Sequence, residues 1–458
     1  MRWRLLATLL LVPFFLPAQA RPAAGDAARV IDSLARDFVT SDGAPGVAIA
    51  VVRGGELLAL AGYGSADLEQ GVAATAQSVY RIGSVTKQFT AAAILQLRDA
   101  GKLRLDDSIA AYVDNLPTAW RGVRLQQLLN HTSGIPDYTE LGESWMRIWG
   151  VEMTPDTILA LTFDRPMDFA PGTKWQYDNT GYILLGMVIE RVTGRSWGSD
   201  MQQRFAIPLG LGDTRECLTG PLIPHRVHGY DPAEGGTWVN APYLAMSQPY
   251  AAGALCSTVI DLARWNRALH TGQVLRAETY REMTTPTGAA REDGYGFGIG
   301  RDSVSGHEVI SHGGGIHGFI SSNLWVPEAE LSVTVLANSG SARLGPLTWN
   351  LVAAAMGDPL RTPRVARALP AEQRARYVGV YALELPGGAR DFTVAVAGDG
   401  LTGQLAGQGA NPLRYLGDDT FGVSFDPALR IVFTVEGDRA VKMTLRQGGG
   451  VAEGVRKR

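Results

Sequence analysis

Tyr80-Arg81-Ile82-Gly83-Ser84-Val85-Thr86-Lys87-Gln88-Phe89-Thr90 leads from a short apolar stretch into a long run with helical patterning. The pattern predicts a helix from about Ser84 to Ala100, with Gly101 placed to end it. Residues three apart share a helix face, so Ser84 and Lys87 stand one turn apart on the same side. A serine hydroxyl is a poor nucleophile unless a base adjoins it. Lysine can be that base when burial and positive neighbours lower its pKa. A helix amino end adds N–H groups and a dipole that favour a developing oxyanion. The string also suits a plain helix cap followed by a solvated lysine. The lysine is nonetheless informative, because the chain carries 37 arginines and only 5 lysines.

Two further motifs lie downstream. Tyr177-Asp178-Asn179 precedes a predicted helix, Thr180 to Val192, that ends at Gly194. A tyrosine near a Ser–Lys pair can shuttle protons, and the Asn179 carboxamide can hold Lys87 or a substrate amide. Core packing of Tyr177 and simple capping by Asn179 are the other readings. His312-Gly313-Gly314 ends a predicted strand, Glu308–Ser311. Its glycines would let substrate lie along the strand edge, and the Gly315 N–H could complete an oxyanion hole with that of Ser84. A glycine turn with a surface histidine is the plainer alternative. Residues 313–318 also spell G-x-G-x-x-G, but the dinucleotide fingerprint needs a helix after it, and Phe319–Val326 reads as strand.

Around these motifs the chain has a clear order. Val30, Ile31, Leu34 and Phe38 mark a helix over Ala27–Phe38. Gly46–Val52 and Leu57–Ala61 form a hairpin pattern about Arg53–Glu56. Residues 79–271 read mostly as helices and loops, including a helix over Thr258–Leu269 with Thr258 and Asp261 as a capping-box-like pair. Strands return in a meander, Glu308–Ser311, Phe319–Val326 and Leu331–Leu336, closed by a helix over Leu347–Met356. Such an order predicts an α+β fold: an antiparallel sheet flanked by helices, with a helical subdomain beside it. Residues 358–370, with Pro359, Pro363 and Pro370, read as a linker. Residues 371–458 carry six to eight short strands with regular turns, which predicts a small C-terminal antiparallel β-barrel or sandwich.

Length and composition agree with two domains in 458 residues, 45% of them hydrophobic. A net charge of −3 gives no basic excess for nucleic acid. Arg2 and Arg4, the apolar run Leu5–Leu16 and Ala18-Gln19-Ala20 are the three parts of a secretory signal peptide, residues 1–20, too short to span a bilayer. The mature domain then starts at residue 21 and runs to 357, and a periplasmic or secreted location is expected, with no membrane span. Cys217 and Cys256 could pair in an oxidising compartment or stay as two buried thiols. No H-E-x-x-H occurs, and the histidines His225 and His228 lack a carboxylate-rich partner, so no metal and no cofactor is expected.

Taken together, Ser-x-x-Lys, Tyr-x-Asn and His-Gly-Gly in this order resemble the penicillin-recognising serine hydrolases. Leu128-Leu129-Asn130-His131-Thr132-Ser133-Gly134 and Ser257-Thr258-Val259-Ile260-Asp261-Leu262-Ala263-Arg264-Trp265 add to the likeness. It points to the branch holding class C β-lactamases, D-alanyl-D-alanine carboxypeptidases, D-aminopeptidases and related esterases, and covers roughly residues 27 to 357. The resemblance implies Ser84 as nucleophile and Lys87 as general-base partner, with Tyr177 sharing proton transfer. It implies Asn179 and the His312–Gly315 strand as substrate-binding elements, and His131 as structural. His312 stands where class C β-lactamases carry the lysine of Lys-Thr-Gly, and a neutral imidazole lacks that fixed charge. An exported serine hydrolase of D-residue peptides, amides or esters follows, with a small-molecule or peptide substrate. The alternatives are a class C-like β-lactamase and a non-hydrolytic penicillin-binding sensor. The C-terminal barrel resembles the lipocalin-like domains appended to several members.

Overall fold

Strand β1 (Gly46–Arg53) is buried on both faces, with Val47, Ile49 and Val51 in one core and Ala48 and Ala50 in another. In this computed structural model the described residues are 24–41, 43–233, 236–361, 367–385, 388–423, 429–447 and 450–457. The expected signal peptide and residues 362–366 of the expected linker lie outside them. Two compact units part between Leu360 and Arg361.

The first unit is built on a seven-stranded antiparallel sheet. Its other strands are β2 (Glu56–Asp67), β3 (Val72–Ala73), β4 (Gly300–Val304), β5 (His307–Ile316), β6 (Phe319–Val326) and β7 (Leu331–Ala337), in the order β3-β2-β1-β7-β6-β5-β4. The early hairpin and the late meander thus meet along β1 and β7, where Val47 faces Ala337 and Arg53 faces Leu331. Five helices position the site: α1 (Ala24–Thr40), α2 (Thr86–Asp99), α3 (Asn179–Thr193), α4 (Val259–His270) and α5 (Leu344–Met356). The branched side chains of β1 pack with Ile31 and Ala35 of α1 and with Leu347, Leu351 and Val352 of α5. On the opposite face Ala48 and Ala50 leave room for α4, behind which α2 and α3 lie. Burying short alanines there lets helix and sheet approach closely.

Helix α2 is buried almost all round, from Thr86 through Leu95. A helix apolar on every side belongs at the centre of a domain. Its polar residues find partners inside, except that Gln88 Nε2 is buried without one. Gln88 Oε1 accepts from Trp265 Nε1 at 3.1 Å and from Asn323 Nδ2 at 3.2 Å. Asn323 and Asn266 exchange hydrogen bonds of 2.7 and 2.9 Å, and Thr334 Oγ1 donates to Asn323 Oδ1 at 2.8 Å. The Trp265 ring stacks on Phe89, centroids 3.7 Å apart. Trp265→Ala is expected to cost about 3–5 kcal/mol, read as a lower urea midpoint with an unchanged slope.

The Thr258 cap forms as anticipated, its hydroxyl accepting from Asp261 N at 3.2 Å. The Asp261 carboxylate does not return the bond. It accepts instead from Asp213 N and Thr214 N, at 2.8 and 2.9 Å, and ties α4 to the preceding loop. A three-stranded sheet lies nearby, with Leu255–Ser257 between Tyr80–Arg81 and Arg215–Glu216. Cys217 and Cys256 are adjacent, buried and free, the Cys256 thiol hydrogen-bonding Cys217. Among the described residues no helix is long and apolar enough to cross a membrane.

In the second unit eight strands close into an antiparallel barrel: β8 (Gly379–Leu385), β9 (Gly388–Ala397), β10 (Gly400–Leu405), β11 (Asn411–Gly417), β12 (Thr420–Val423), β13 (Arg430–Glu436), β14 (Arg439–Gln447) and β15 (Gly450–Arg456). Closure is made where Tyr381 of β8 faces Arg456 of β15. Tyr377, Tyr381, Phe421 and Phe433 fill the interior.

Candidate active site

Ser84 sits in a single 3₁₀ turn, Gly83–Val85, that feeds α2, so the regular helix starts two residues later than the sequence pattern suggests. Its hydroxyl caps neither element. Lys87, in the first turn of α2, is fully buried, which removes the reading of a solvated lysine. Its Nζ donates to Ser84 Oγ at 3.1 Å, to Asn179 Oδ1 at 2.8 Å and to the Ala252 carbonyl at 2.9 Å. Burial lowers its pKa to about 7, against the opposing pull of Asp137 and Asp178.

Asn179 is the first residue of α3, and the cap is Asp178, whose Oδ1 accepts from Gly181 N at 3.1 Å. The Asn179 carboxamide is oriented from below. Its Nδ2 and backbone N both donate to Asp137 Oδ2, at 2.8 and 3.1 Å, which turns its oxygen toward Lys87. Asp178 is buried, which raises its pKa, with the Asp137 charge adding to the effect. Asp137 and the Ala252 carbonyl were not legible in the sequence: neither belongs to a recognisable string, and both reach Lys87 or its partner from segments distant along the chain, Ala252 from the short helix Tyr250–Gly253.

Tyr177 closes the opposite side. Lys87 Nζ lies 4.7 Å from its ring centroid. Burial raises the pKa of this phenol, partly offset by the neighbouring Ser84 hydroxyl, yet the phenol closes no hydrogen bond in the resting site. His131 packs beneath it, ring centroids 4.3 Å apart, and takes the Asp178 N–H on Nδ1 at 3.1 Å. Burial and the nearby Lys87 hold His131 well below the usual imidazole range.

The glycine strand is part of β5. Strand β4 pairs with β5 only as far as Ser311, so His312–Ile316 present an edge free of β4. Gly314 has a packing reason to be glycine: a Cβ there would stand 2.0 Å from the Ile82 carbonyl oxygen. Gly83 is held to glycine by its φ of +49 and, less severely than Gly314, by space, since its Cβ would lie 3.0 Å from Gly315 O and 3.1 Å from Gly315 N. These two contacts lock the Ser84 turn against β5. His312 is buried, with Nε2 2.8 Å from the Tyr295 hydroxyl and Nδ1 2.6 Å from the Gly313 carbonyl. A carbonyl only accepts, so Nδ1 carries the proton and Nε2 receives that of Tyr295. Burial, then Lys87, lowers the His312 pKa to about 4, which leaves the ring neutral at pH 7.

A cleft of about 280 Å³ opens on these groups, lined by Ser84, Tyr177, Asn179 and Gly315, with Tyr138 and Trp145 as an aromatic wall. Ser84, Lys87, Tyr177, Asn179 and Gly315 therefore come together. His312 lies behind Tyr177, ring centroids 6.3 Å apart, and Gly313 and Gly314 continue the same strand. Gly194-Arg195-Ser196-Trp197-Gly198 spells Gly-x-Ser-x-Gly, the string of a nucleophile elbow, but it follows helix α3 rather than a strand. Ser196 there caps a short helix, accepting from Ser199 N at 3.3 Å.

Residues 31–356 match the family model described as Beta-lactamase. The chain is 28% identical over 368 residues to a D-aminopeptidase of Gluconobacter oxydans (strain 621H), a match covering 76% of this chain and 66% of that protein, just under two thirds of its length. It is similar in structure to a D-stereospecific amidohydrolase from Streptomyces sp., at 30% identity and TM-score 0.63, covering 74% of this chain and all of that one. An octameric penicillin-binding protein homologue from Pyrococcus abyssi aligns at 25% identity and TM-score 0.66 over 92% of this chain and 99% of that one. With the motif order, the sheet and the buried Ser–Lys pair in place, the chain belongs to the Beta-lactamase family, with a β-barrel appended.

Proposed function

We propose that Ser84 attacks the carbonyl of a D-residue amide or peptide, forming an acyl-enzyme that water then hydrolyses. The observation that carries this reading is the coordination of Lys87. Two of its three partners, Asn179 Oδ1 and the Ala252 carbonyl, can only accept. A neutral amine has two N–H bonds, which those carbonyls take, so its lone pair is left facing the Ser84 hydroxyl. With its pKa brought to about 7, the amine is available as a base at neutral pH.

As the Ser84 Oγ–carbon bond forms, the hydroxyl proton passes to Lys87 Nζ, and the N–H groups of Ser84 and Gly315 receive the oxyanion. When the carbon–nitrogen bond breaks, the unpartnered Tyr177 hydroxyl is placed to relay a proton to the leaving amine. Water then attacks the ester along the same proton path. The D-residue preference is supported by the named activities of the Gluconobacter and Streptomyces relatives. A fluorophosphonate probe should tag Ser84 in peptide mass spectra, and hydrolysis should favour D- over L-amino amides. A folded protein with no adduct at Ser84 would defeat the proposal.

The neutral, fully engaged His312 offers no cation to a β-lactam carboxylate. Nitrocefin turnover should therefore be slower than D-amino amide turnover, compared as kcat/KM on one preparation. We also infer export from residues 1–20. Amino-terminal sequencing of protein recovered outside the cytoplasm should begin at Arg21, and retention of Met1 would count against it.

A further inference from the structure

A second cavity, of about 440 Å³, opens where the catalytic cleft ends, and His317 stands in the wall of both. Arg81, Arg226 and His228 line it, with Tyr243 and Phe319. Among the described residues neither guanidinium has a carboxylate within ion-pairing distance. Arg81 lies over the Phe319 ring, 5.8 Å from its centroid. Arg226 spends one Nη2 bond on the Leu218 carbonyl, at 2.7 Å, and its buried Nε has no partner. Behind them is the Cys217 thiol, held below its usual pKa first by the Cys256 hydrogen bond and then by the two arginines. The carboxylate of Glu69 belongs to the exposed rim and is engaged by Asn240 Nδ2 at 2.6 Å.

Two guanidinium groups facing one cavity with no ion-pair partner are costly to bury, and burial lowers the pKa of Arg81. An arriving anion supplies the missing partner, and the planar guanidinium fork matches a carboxylate with two parallel bonds. The chain geometry ties this cavity to the reaction. Arg81 is three residues before Ser84, and a substrate running from Gly315 past Ile316 and His317 along the end of β5 enters it.

We propose that this cavity is a substrate subsite for a carboxylate carried beyond the reacting amide, so that the preferred D-residue substrates are acidic. The proposal rests on the hydrolase reading above and narrows its substrate class. Two isosteric ligands test it: N-succinyl-D-phenylalanine amide, and its neutral counterpart in which the free carboxylate is a carboxamide. Binding is measured by calorimetry on the full chain carrying Ser84→Ala, so that nothing turns over. The acid should bind about tenfold tighter or more, with the advantage shrinking as salt rises. Arg226→Met, checked for cooperative unfolding, should abolish the difference, and Arg226→Lys should restore part of it.

Equal binding of acid and amide, no measurable binding of either, or a difference that survives Arg226→Met overturns the subsite. Free succinate binding as tightly as the succinyl amide overturns it too, by showing an anion site separate from substrate. Fluorophosphonate labelling of the wild-type chain, run in parallel, reads the hydrolase assignment by itself: tagging at Ser84 with equal ligand affinities rejects the subsite alone.

Discussion

Lys87→Met is expected to lower D-amino amide turnover by about a thousandfold or more while raising the melting temperature at neutral pH. The first effect follows from removing the amine that contacts Ser84 Oγ at 3.1 Å. In the wild-type protein kcat/KM should rise with pH and level off once the pH passes about 7, because the protonated amine cannot accept the serine proton. The second effect comes from the same burial. Unfolded, Lys87 binds its proton up to about 10.5; folded, it releases it near 7. Between those values the unfolded chain holds more protons, so wild-type stability climbs with pH across that window. Below it the whole cost of burying a cation is present. The methionine variant carries no such cost, so its advantage should be greatest below pH 7 and fade toward pH 10. A variant that loses activity and melts lower at pH 6 would contradict this account of the site.

Gly314→Ala should be severely damaging for a single added methyl. The added carbon would meet the Ile82 carbonyl oxygen at 2.0 Å and Ser321 Oγ at 2.4 Å, and a backbone atom has no rotamer to escape into. A stability loss of about 3 kcal/mol or more is expected, with Ser84 labelling lost because Ile82 moves together with the turn that carries the nucleophile. Gly313→Ala, one residue earlier, would place its methyl 3.6 Å from Ser321 O, an ordinary contact, and should change stability by less than about 0.5 kcal/mol, leaving the denaturation midpoint nearly unmoved. Similar midpoints for the two variants would show that the β5–Ile82 contact is not what fixes the turn.

The elements with strong periodicity were legible in the sequence. The strands read at Gly46–Val52 and Leu331–Leu336 both form, their pairing being a tertiary result, and the helix read from Thr180 to Val192 ends where Gly194 turns left-handed at φ +68. Ser84, Lys87, Tyr177 and Asn179 were legible because two short strings each bring a pair of chemically distinctive residues. The supports of the site were not. Asp137 orients Asn179, and Tyr295 holds His312, through contacts that depend on how loops fold back, which no local pattern encodes. Gly314 shows the same limit in another form. Its glycine looked like an accommodation for substrate, whereas the tertiary contact with Ile82 already demands it. The Asn266–Asn323–Gln88 network was invisible for the reason that buried amides spread over three elements look, in sequence, like surface residues.

The spacing of the catalytic groups along the chain carries a kinetic consequence. Nucleophile and amine share one helical turn and can meet as soon as that turn forms. The clamp on the turn from β5 and β6 joins residues 239 positions apart, as in the bond from Ser321 Oγ to the Ile82 carbonyl. Such remote closures come late in folding. Reactivity toward a phosphonate probe should therefore lag the recovery of helical circular dichroism when the denatured chain is diluted into buffer, making the probe a clock for the final docking of the meander.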